Sequence, residues 1–155
     1  IYTIGMHTIK HMPLWGWVMG LSGILILLYI SYLRMQPKIS INGTEFHIEL
    51  AVTPEAREIG LSGRPSLRDK TGLLFIMPNT SEHQFWMKDM NFPIDFIWID
   101  TRTIVDITEN VAPNATNLLS TVVKPKVSAN LVLEVPAGSV KKYGIQIGQT
   151  VRFKL

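Results

Sequence analysis

Residues 14–33 form a 20-residue apolar run, LWGWVMGLSGILILLYISYL, that contains no charged side chain. An α-helix rises about 1.5 Å per residue, so a helix of this length spans a hydrocarbon core of about 30 Å. Trp15 and Trp17 lie near one end and Tyr29 and Tyr32 near the other, as in the aromatic belts at membrane interfaces. The run therefore predicts one transmembrane helix that anchors the chain in a lipid bilayer.

A cleaved signal peptide is the alternative interpretation of this run. Signal peptides have an apolar region of about 7–15 residues that ends at a small-x-small site, and no Ala-x-Ala pattern follows residue 30. An uncleaved anchor is therefore favoured. The predicted organisation is an N-terminal flank (1–13), the anchor (14–33), a linker (34–38) and a soluble domain (39–155). Basic residues lie on both sides of the anchor, so the positive-inside rule does not fix its orientation.

The charge distribution argues against nucleic-acid binding. The formal net charge of +3 comes from Lys10, Arg34 and Lys38, because residues 1–38 contain no acidic residue. The remaining 12 basic residues are matched by all 12 acidic residues in 39–155. A phosphate-binding surface needs clustered Lys and Arg, which this balanced domain lacks. The chain has no cysteine, which excludes disulfides, thiolate nucleophiles and cysteine-ligated metals.

The soluble domain contains short apolar or alternating segments separated by turn signals, and this pattern predicts a chain of short β-strands. Asn42-Gly43 between alternating runs predicts a β-hairpin, because both residues accept a positive φ. Thr53-Pro54 predicts the start of a short helix, and a second short helix is expected near 138–143. IDFIWID (94–100) predicts a central strand. The expected fold is mainly β: a small antiparallel sandwich or barrel, preceded by one transmembrane helix, with one or two short helices.

Several segments resemble one protein family, and the resemblance covers nearly all of 39–155. The segments are REIGLSGR (57–64), GLLF (72–75), FWMKDM (85–90), PIDFIWID (93–100) and LEVPAG (133–138). They are similar to the domain of unknown function 192, although Ser62 stands where Met is common and Asp89-Met90 where Asn-Thr is common. The resemblance implies a jelly-roll-like β fold in an exported or membrane-anchored prokaryotic protein. It implies no activity.

Motifs for catalysis are absent from the sequence. Gly-x-Ser-x-Gly, His-x-His and His-Glu-x-x-His do not occur, and residues 39–155 contain only two histidines, His47 and His83. A zinc site needs three or four converging ligands. We therefore expect no metal and no cofactor, and no residue is assigned as catalytic.

The candidate site is a set of polar and aromatic residues near apolar strands. A charge within such a strand is costly unless it is paired, so Asp95 and Glu134 are expected to have cationic or backbone partners. One interpretation is a structural ion-pair network, which we favour. The other is a cleft in which carboxylates and an exposed aromatic ring bind a polar ligand such as a sugar. The candidate residues are Arg57, Arg64, Trp86, Lys88, Asp95 and Glu134. Trp98, Phe75 and Phe85 are expected in the core.

We expect a membrane-anchored, single-pass, extracytoplasmic binding or accessory domain without catalysis, whose partner is an envelope saccharide or a membrane protein. One alternative is an enzyme that acts on envelope carbohydrate through Asp95 and Glu134, whose carboxyls should then lie about 5–9.5 Å apart. Another is a protein–protein module of a membrane complex, which predicts an apolar patch or a bare strand edge.

Overall fold

The computed structural model describes residues 22–31, 36–113 and 122–154. The chain forms two compact units, Ile1–Gln36 and Pro37–Leu155. In the first unit residues 22–31 are helical (α1), and the large apolar side chains from Ile24 to Ile30 are exposed. No helix in these described ranges is long and apolar enough to cross a membrane. The remainder of the predicted anchor, 14–21 and 32–33, lies outside the described residues.

The second unit is mainly β, as the sequence predicts. Its described strands are β1 (Lys38–Ile41), β2 (Thr44–Ala51), β3 (Thr71–Ser81), β4 (Phe85–Trp86), β5 (Ile94–Asp100), β6 (Thr103–Val111), β7 (Val122–Val123), β8 (Ala129–Pro136) and β9 (Arg152–Lys154). Its helices are α2 (Pro54–Ile59) and α3 (Ser139–Tyr143). Seven strands form one sheet in the order β6-β5-β8-β3-β2-β1-β9, and β4 pairs with β7 separately.

The sheet is mixed, which corrects the expectation of an antiparallel fold. β2 and β3 pair in parallel, with His47 opposite Thr71 and Ala51 opposite Phe75, whereas the other strand pairs are antiparallel. Parallel neighbours require a crossover of a dozen or more residues. The stretch from Val52 to Lys70, which contains α2, supplies this crossover. The sequence pattern shows that a short helix lies there but not that the next strand returns in parallel.

The predicted Asn42-Gly43 hairpin is present between β1 and β2. Asn42 has φ 48° and Gly43 has φ 79°, and Ile41 pairs with Thr44 across the turn. The Asn42 side-chain amide also donates to the carbonyls of Tyr143 and Gly144, at 3.1 and 3.2 Å. These two bonds satisfy carbonyls at the end of α3, so the turn also holds that helix.

The sheet buries side chains on both faces. We call one the aromatic face, which carries Phe75, Phe96 and Trp98, and the other the aliphatic face, which carries Ile97, Leu133 and Val135. Because side chains alternate along a strand, β5 contributes to both faces. This confirms β5 as a central strand, between β6 and β8.

The sheet curls into a half-barrel whose two ends approach each other. Thr103 at the start of β6 forms a bridge with Thr150, just before β9. Backbone bonds flank this bridge, from the Val151 N–H to the Arg102 carbonyl at 2.8 Å and from the Ile104 N–H to the Gln149 carbonyl at 3.0 Å. The curl places the aliphatic face inside and leaves α2, β4 and β7 to cover the aromatic face.

Candidate functional site

A cavity of about 240 Å³ lies on the aromatic face of the sheet. Most of its walls are apolar. It is lined by residues 57–62 of α2 and the following turn, Phe75 and Met77 of β3, Gln84, Phe85 and Trp86 around β4, Met90, Ile94 and Glu134. The aromatic rings on one wall are anchored: Phe85 packs edge-to-face on Phe75, Phe96 and Trp98, with ring centroids 4.9–5.8 Å apart. The cavity therefore rests against a rigid part of the core.

Glu134 is the buried ionisable residue of this cavity. It lies on β8, opposite Leu73 of β3 and Phe96 of β5, which places its side chain on the aromatic face. The residue is only 5% exposed. Among the residues that the structure describes, its carboxyl group forms no hydrogen bond and no ion pair. Buried polar groups are nearly always hydrogen-bonded, so an exception of this kind requires an explanation.

Burial determines the protonation state of Glu134. Loss of hydration raises the pKa of its carboxyl to about 8, and the positive charge of Arg64 opposes this rise only in part. At pH 7 the group therefore carries its proton and is uncharged. The cavity thus contains a neutral carboxylic acid, which can donate one hydrogen bond and accept others.

Arg57 and Arg64 do not pair with Glu134, contrary to the sequence expectation. Arg57 lines the cavity, but its Nη1 donates to the carbonyls of Val52 and Ile76, at 2.6 and 3.0 Å, and fastens α2 to the sheet. Arg64 binds both carboxylate oxygens of Glu49, at 2.7 and 2.8 Å, and this pairing lowers the pKa of Glu49. The hydrogen bonds that these two guanidinium ions form in the described structure therefore go to groups other than Glu134.

Lys88 contributes to the site through its backbone. Its carbonyl accepts a hydrogen bond of 2.9 Å from Ser62 Oγ, whereas its side chain is exposed and does not line the cavity. Next to it, the Asp89 carbonyl accepts from the Gly63 N–H at 2.8 Å. The turn after α2 and the turn after β4 are therefore joined beside the cavity, which holds its shape before any ligand binds.

Asp95 is separated from Glu134 by the sheet. Asp95 lies opposite Val135 of β8, one position from the pair formed by Phe96 and Glu134, so the two carboxyls point to opposite faces. Asp95 is fully buried, and its two oxygens accept from the N–H groups of Asn110 and Val140, at 2.8 and 3.0 Å. It has the backbone partners that we expected, and it ties β6 and the start of α3 to β5. For Glu134 the expectation is wrong within the part of the chain that the structure describes, where its carboxyl has no hydrogen-bond or ion-pair partner.

The exposed residues that line the cavity include two large apolar side chains, Ile59 and Trp86, beside the polar Glu58 and Gln84. Trp86 is 51% exposed and lines the cavity, and its cross-strand neighbour Val122 is 60% exposed. Ile59, at the end of α2, is 63% exposed and lies on the same rim. Trp98 is fully buried, and its indole N–H donates to Thr108 Oγ1 at 3.1 Å, which agrees with its expected core position.

Several residues of the cavity are not identified by sequence reasoning. Met77, Gln84, Met90 and Ile94 line it, but nothing in their local pattern distinguishes them from ordinary core or loop residues. Phe75 and Phe85 were expected in the core, and they also form a cavity wall. In the described ranges, no group of three or more His, Asp or Glu side chains is close enough to hold a metal ion.

These features define a class of small β domain: a curled, mixed seven-stranded sheet with a partly apolar cavity on one face. Residues 37–153 match the family DUF192, described as an uncharacterized ACR, and the chain belongs to this family. No curated protein matches the chain.

Two solved structures are similar to this chain. One is a Sinorhizobium meliloti protein, provisionally described as a transcription regulator, with 29% identity and a TM-score of 0.68 over 76% of this chain and 92% of that chain. The other is a protein of unknown function from Novosphingobium aromaticivorans, with 27% identity and a TM-score of 0.67 over 76% of this chain and 83% of that chain.

Proposed function

We propose that this domain is a non-catalytic binding or accessory module and that the cavity around Glu134 is its binding site. The observation that carries the proposal is a buried carboxyl that has no partner among the described residues, in a cavity that the exposed Trp86 also lines. An unsatisfied buried polar group costs about 1–3 kcal/mol, so a ligand that bonds to it recovers this cost. Exposed aromatic rings beside such a group are typical of binding sites.

The structure gives less support to the alternative of a carbohydrate-acting enzyme. Acid–base hydrolysis by Asp95 and Glu134 needs both carboxyls on one cleft. The sheet separates them, and both oxygens of Asp95 are occupied by backbone N–H groups. A saccharide would also have few hydrogen-bond partners on the wall formed by Phe75, Met77, Phe85 and Ile94.

A protein partner is the second candidate for the same site. The exposed residues Ile59, Trp86 and Val122 favour it, because clustered apolar side chains on a surface are typical of protein contacts. In this case the partner would place a side chain in the cavity, and Trp86 would pack against it.

For residues 14–33 we propose a single-pass membrane anchor with the domain on the extracytoplasmic side. The support is the uncharged apolar run and its aromatic borders. A reporter fused after Leu155 should be active outside the cytoplasm. Activity confined to the cytoplasm would contradict the orientation.

A thermal-shift screen of the full chain tests the binding function. Its panel consists of envelope sugars, peptidoglycan fragments, nucleotides, amino acids, divalent ions and small apolar molecules. A ligand at a hundredfold excess over its Kd stabilises the folded state by about 2.7 kcal/mol, which is readily measured. We expect a ligand whose effect is lost in Glu134→Leu and retained in Glu109→Gln, a control on the exposed surface of β6. A panel without any such ligand would contradict the proposal.

A further inference from the structure

The chemistry of the cavity restricts what Glu134 can bind. Arg57 and Arg64 have their hydrogen bonds to other groups, so the described structure offers Glu134 no partner of its own. The carboxyl faces a space that a ligand can enter. It is also protonated at neutral pH, since burial raises its pKa to about 8. The O–H of this buried carboxyl needs a ligand group that accepts a hydrogen bond.

The remaining walls restrict the rest of the ligand. The described residues of β3, β4 and β5 contribute only uncharged side chains to the lining, among them Phe75, Met77, Trp86 and Ile94. The charged groups that face the cavity or Glu134 are Arg57 and Glu58 on α2 and Arg64 in the turn after it. A second polar group deep in the cavity would find few partners and would lose its hydration.

We infer that the cavity binds a small, uncharged and mainly apolar molecule whose carbonyl or ether oxygen accepts a hydrogen bond from the Glu134 carboxyl. This inference rests on the proposed binding function and names its ligand class. The cavity, about 240 Å³, lies below the 300–1,000 Å³ that is usual for drug-sized ligands, so the ligand is small. Trp86 at the mouth covers its apolar body.

The sign of the pH dependence separates this ligand class from a cation. An uncharged acceptor binds the protonated carboxyl, so its affinity is constant below pH 8 and falls above it. A cation binds the ionised carboxyl and releases a proton, so its affinity rises with pH until about pH 8. Because the two classes respond in opposite directions, one titration series distinguishes them.

Four probes with the same phenyl body provide the test: ethylbenzene, acetophenone, phenethylamine and phenylacetate. Each is titrated into the full chain in detergent micelles, at pH 7 and pH 9, and followed by the backbone amide NMR signals of cavity residues. All variants are compared at one detergent concentration, so that partition of the probe into micelles affects them equally.

We expect acetophenone to bind about 2- to 10-fold more tightly than ethylbenzene at pH 7, the gain of one net hydrogen bond. This preference should disappear at pH 9 and in Glu134→Leu. In Glu134→Gln it should persist at both pH values, because the amide donates a hydrogen bond and does not titrate. Glu109→Gln should behave as the wild type.

Three results would overturn the inference. Equal affinity for acetophenone and ethylbenzene at pH 7 would show that the ligand oxygen forms no hydrogen bond with Glu134. Tighter binding of phenethylamine, increasing from pH 7 to pH 9, would assign a cation to the site. Tighter binding of phenylacetate than of acetophenone would show that the site prefers an anionic ligand. In these cases the cavity still binds, so the proposed function stands. If no probe shifts the cavity signals, the inference fails, whereas the proposed binding function is decided separately by the thermal-shift panel.

Discussion

Asp95 and Glu134 are buried carboxyls on adjacent paired strands, yet their surroundings differ completely. Asp95 accepts two backbone N–H bonds on the aliphatic face, whereas Glu134 faces a cavity on the aromatic face with no partner in the described structure. Their sequence context is similar, because each is an acidic residue within an apolar strand. The difference arises from Asn110 and Val140, which the fold brings to Asp95 from distant parts of the chain.

Glu134→Gln should change the pH dependence of stability. The folded carboxyl keeps its proton up to a pKa of about 8, whereas in the unfolded chain its pKa is near 4.5. The folded state therefore binds more protons between these values, and the free energy of unfolding falls as pH rises through this window. The fall is up to about 5 kcal/mol, at about 1.4 kcal/mol per pKa unit. Denaturant unfolding from pH 4 to pH 9 should show most of this fall in the wild type and not in the variant.

The control for this prediction is Glu109→Gln, which should retain the fall. Carboxylates with a lowered pKa, such as Glu49, act in a different window: they stabilise the fold above their unfolded pKa, and this stability is lost at lower pH. Identical pH profiles for the wild type and Glu134→Gln would show that the Glu134 carboxyl is hydrated in the folded protein.

Asp95→Ala should destabilise the domain by about 2–5 kcal/mol, because the buried N–H of Val140 and the partly buried N–H of Asn110 lose their acceptor. Asp95→Asn retains one acceptor oxygen, so its loss of stability should be smaller. Chemical denaturation of both variants measures the difference. A variant Asp95→Ala as stable as the wild type would contradict the structural role of this residue.

At the scale of elements, the close approach of β3 and β8 depends on Gly72. A Cβ atom at this position would lie 2.7 Å from the Glu134 carbonyl oxygen and 3.0 Å from Leu133 Cδ1. The first of these atoms is backbone, so β8 itself would have to move. β8, which carries Glu134, can therefore lie this close to β3 only because Gly72 has no side chain.

Gly72→Ala should therefore destabilise the domain by about 1–3 kcal/mol, the usual cost of overpacking. It should also weaken any ligand that depends on Glu134. Gly148→Ala is the control, since nothing lies within 4 Å of its added Cβ, it does not line the cavity, and only its φ of +90° opposes the change. Thermal unfolding and probe titration measure the two effects. A stability loss without any effect on binding would show that β8 adjusts without moving Glu134.

The elements differ in how far the sequence predicts them. The Asn42-Gly43 hairpin, α2 and the central strand β5 follow from residues close together in the chain, and all three are present. The parallel pairing of β2 with β3 depends on where the crossover returns, which no local pattern encodes. The candidate set includes Arg57, Trp86 and Glu134, which line the cavity, but its shape could not be predicted because its walls come from α2, β3, β4, β5 and β8.

At the scale of the whole domain, we expect the backbone amides of the central strands to be the most strongly protected from hydrogen exchange. β5 and β8 have strand neighbours on both sides and buried side chains on both faces of the sheet. Their amide hydrogens should exchange most slowly, and those of the β4–β7 pair and β9 most rapidly. Hydrogen exchange of the full chain, followed by NMR, tests this order. Slower exchange in β9 than in β5 would contradict it.

The overall class was predictable, whereas the closure of the sheet was not. Short strands with turn signals and no long amphipathic helix are enough to predict a small β domain. The curl depends on backbone bonds between residues 102–104 and 148–151, whose sequences show no feature that marks them as partners. A polar set that includes Glu134 could be named in advance, but its geometry required the fold.

The pairing of β1 with β9 has a consequence for the order of folding. Ser40 lies opposite Arg152, so the first and last described strands of the domain are neighbours although more than 100 residues separate them in the chain. Closing so long a loop has an entropic cost, and contacts between distant residues slow folding. During synthesis the β1 edge therefore stays open until residues 152–154 have left the ribosome. Until then, the growing chain presents the unpaired edge of β1 to other proteins in its surroundings.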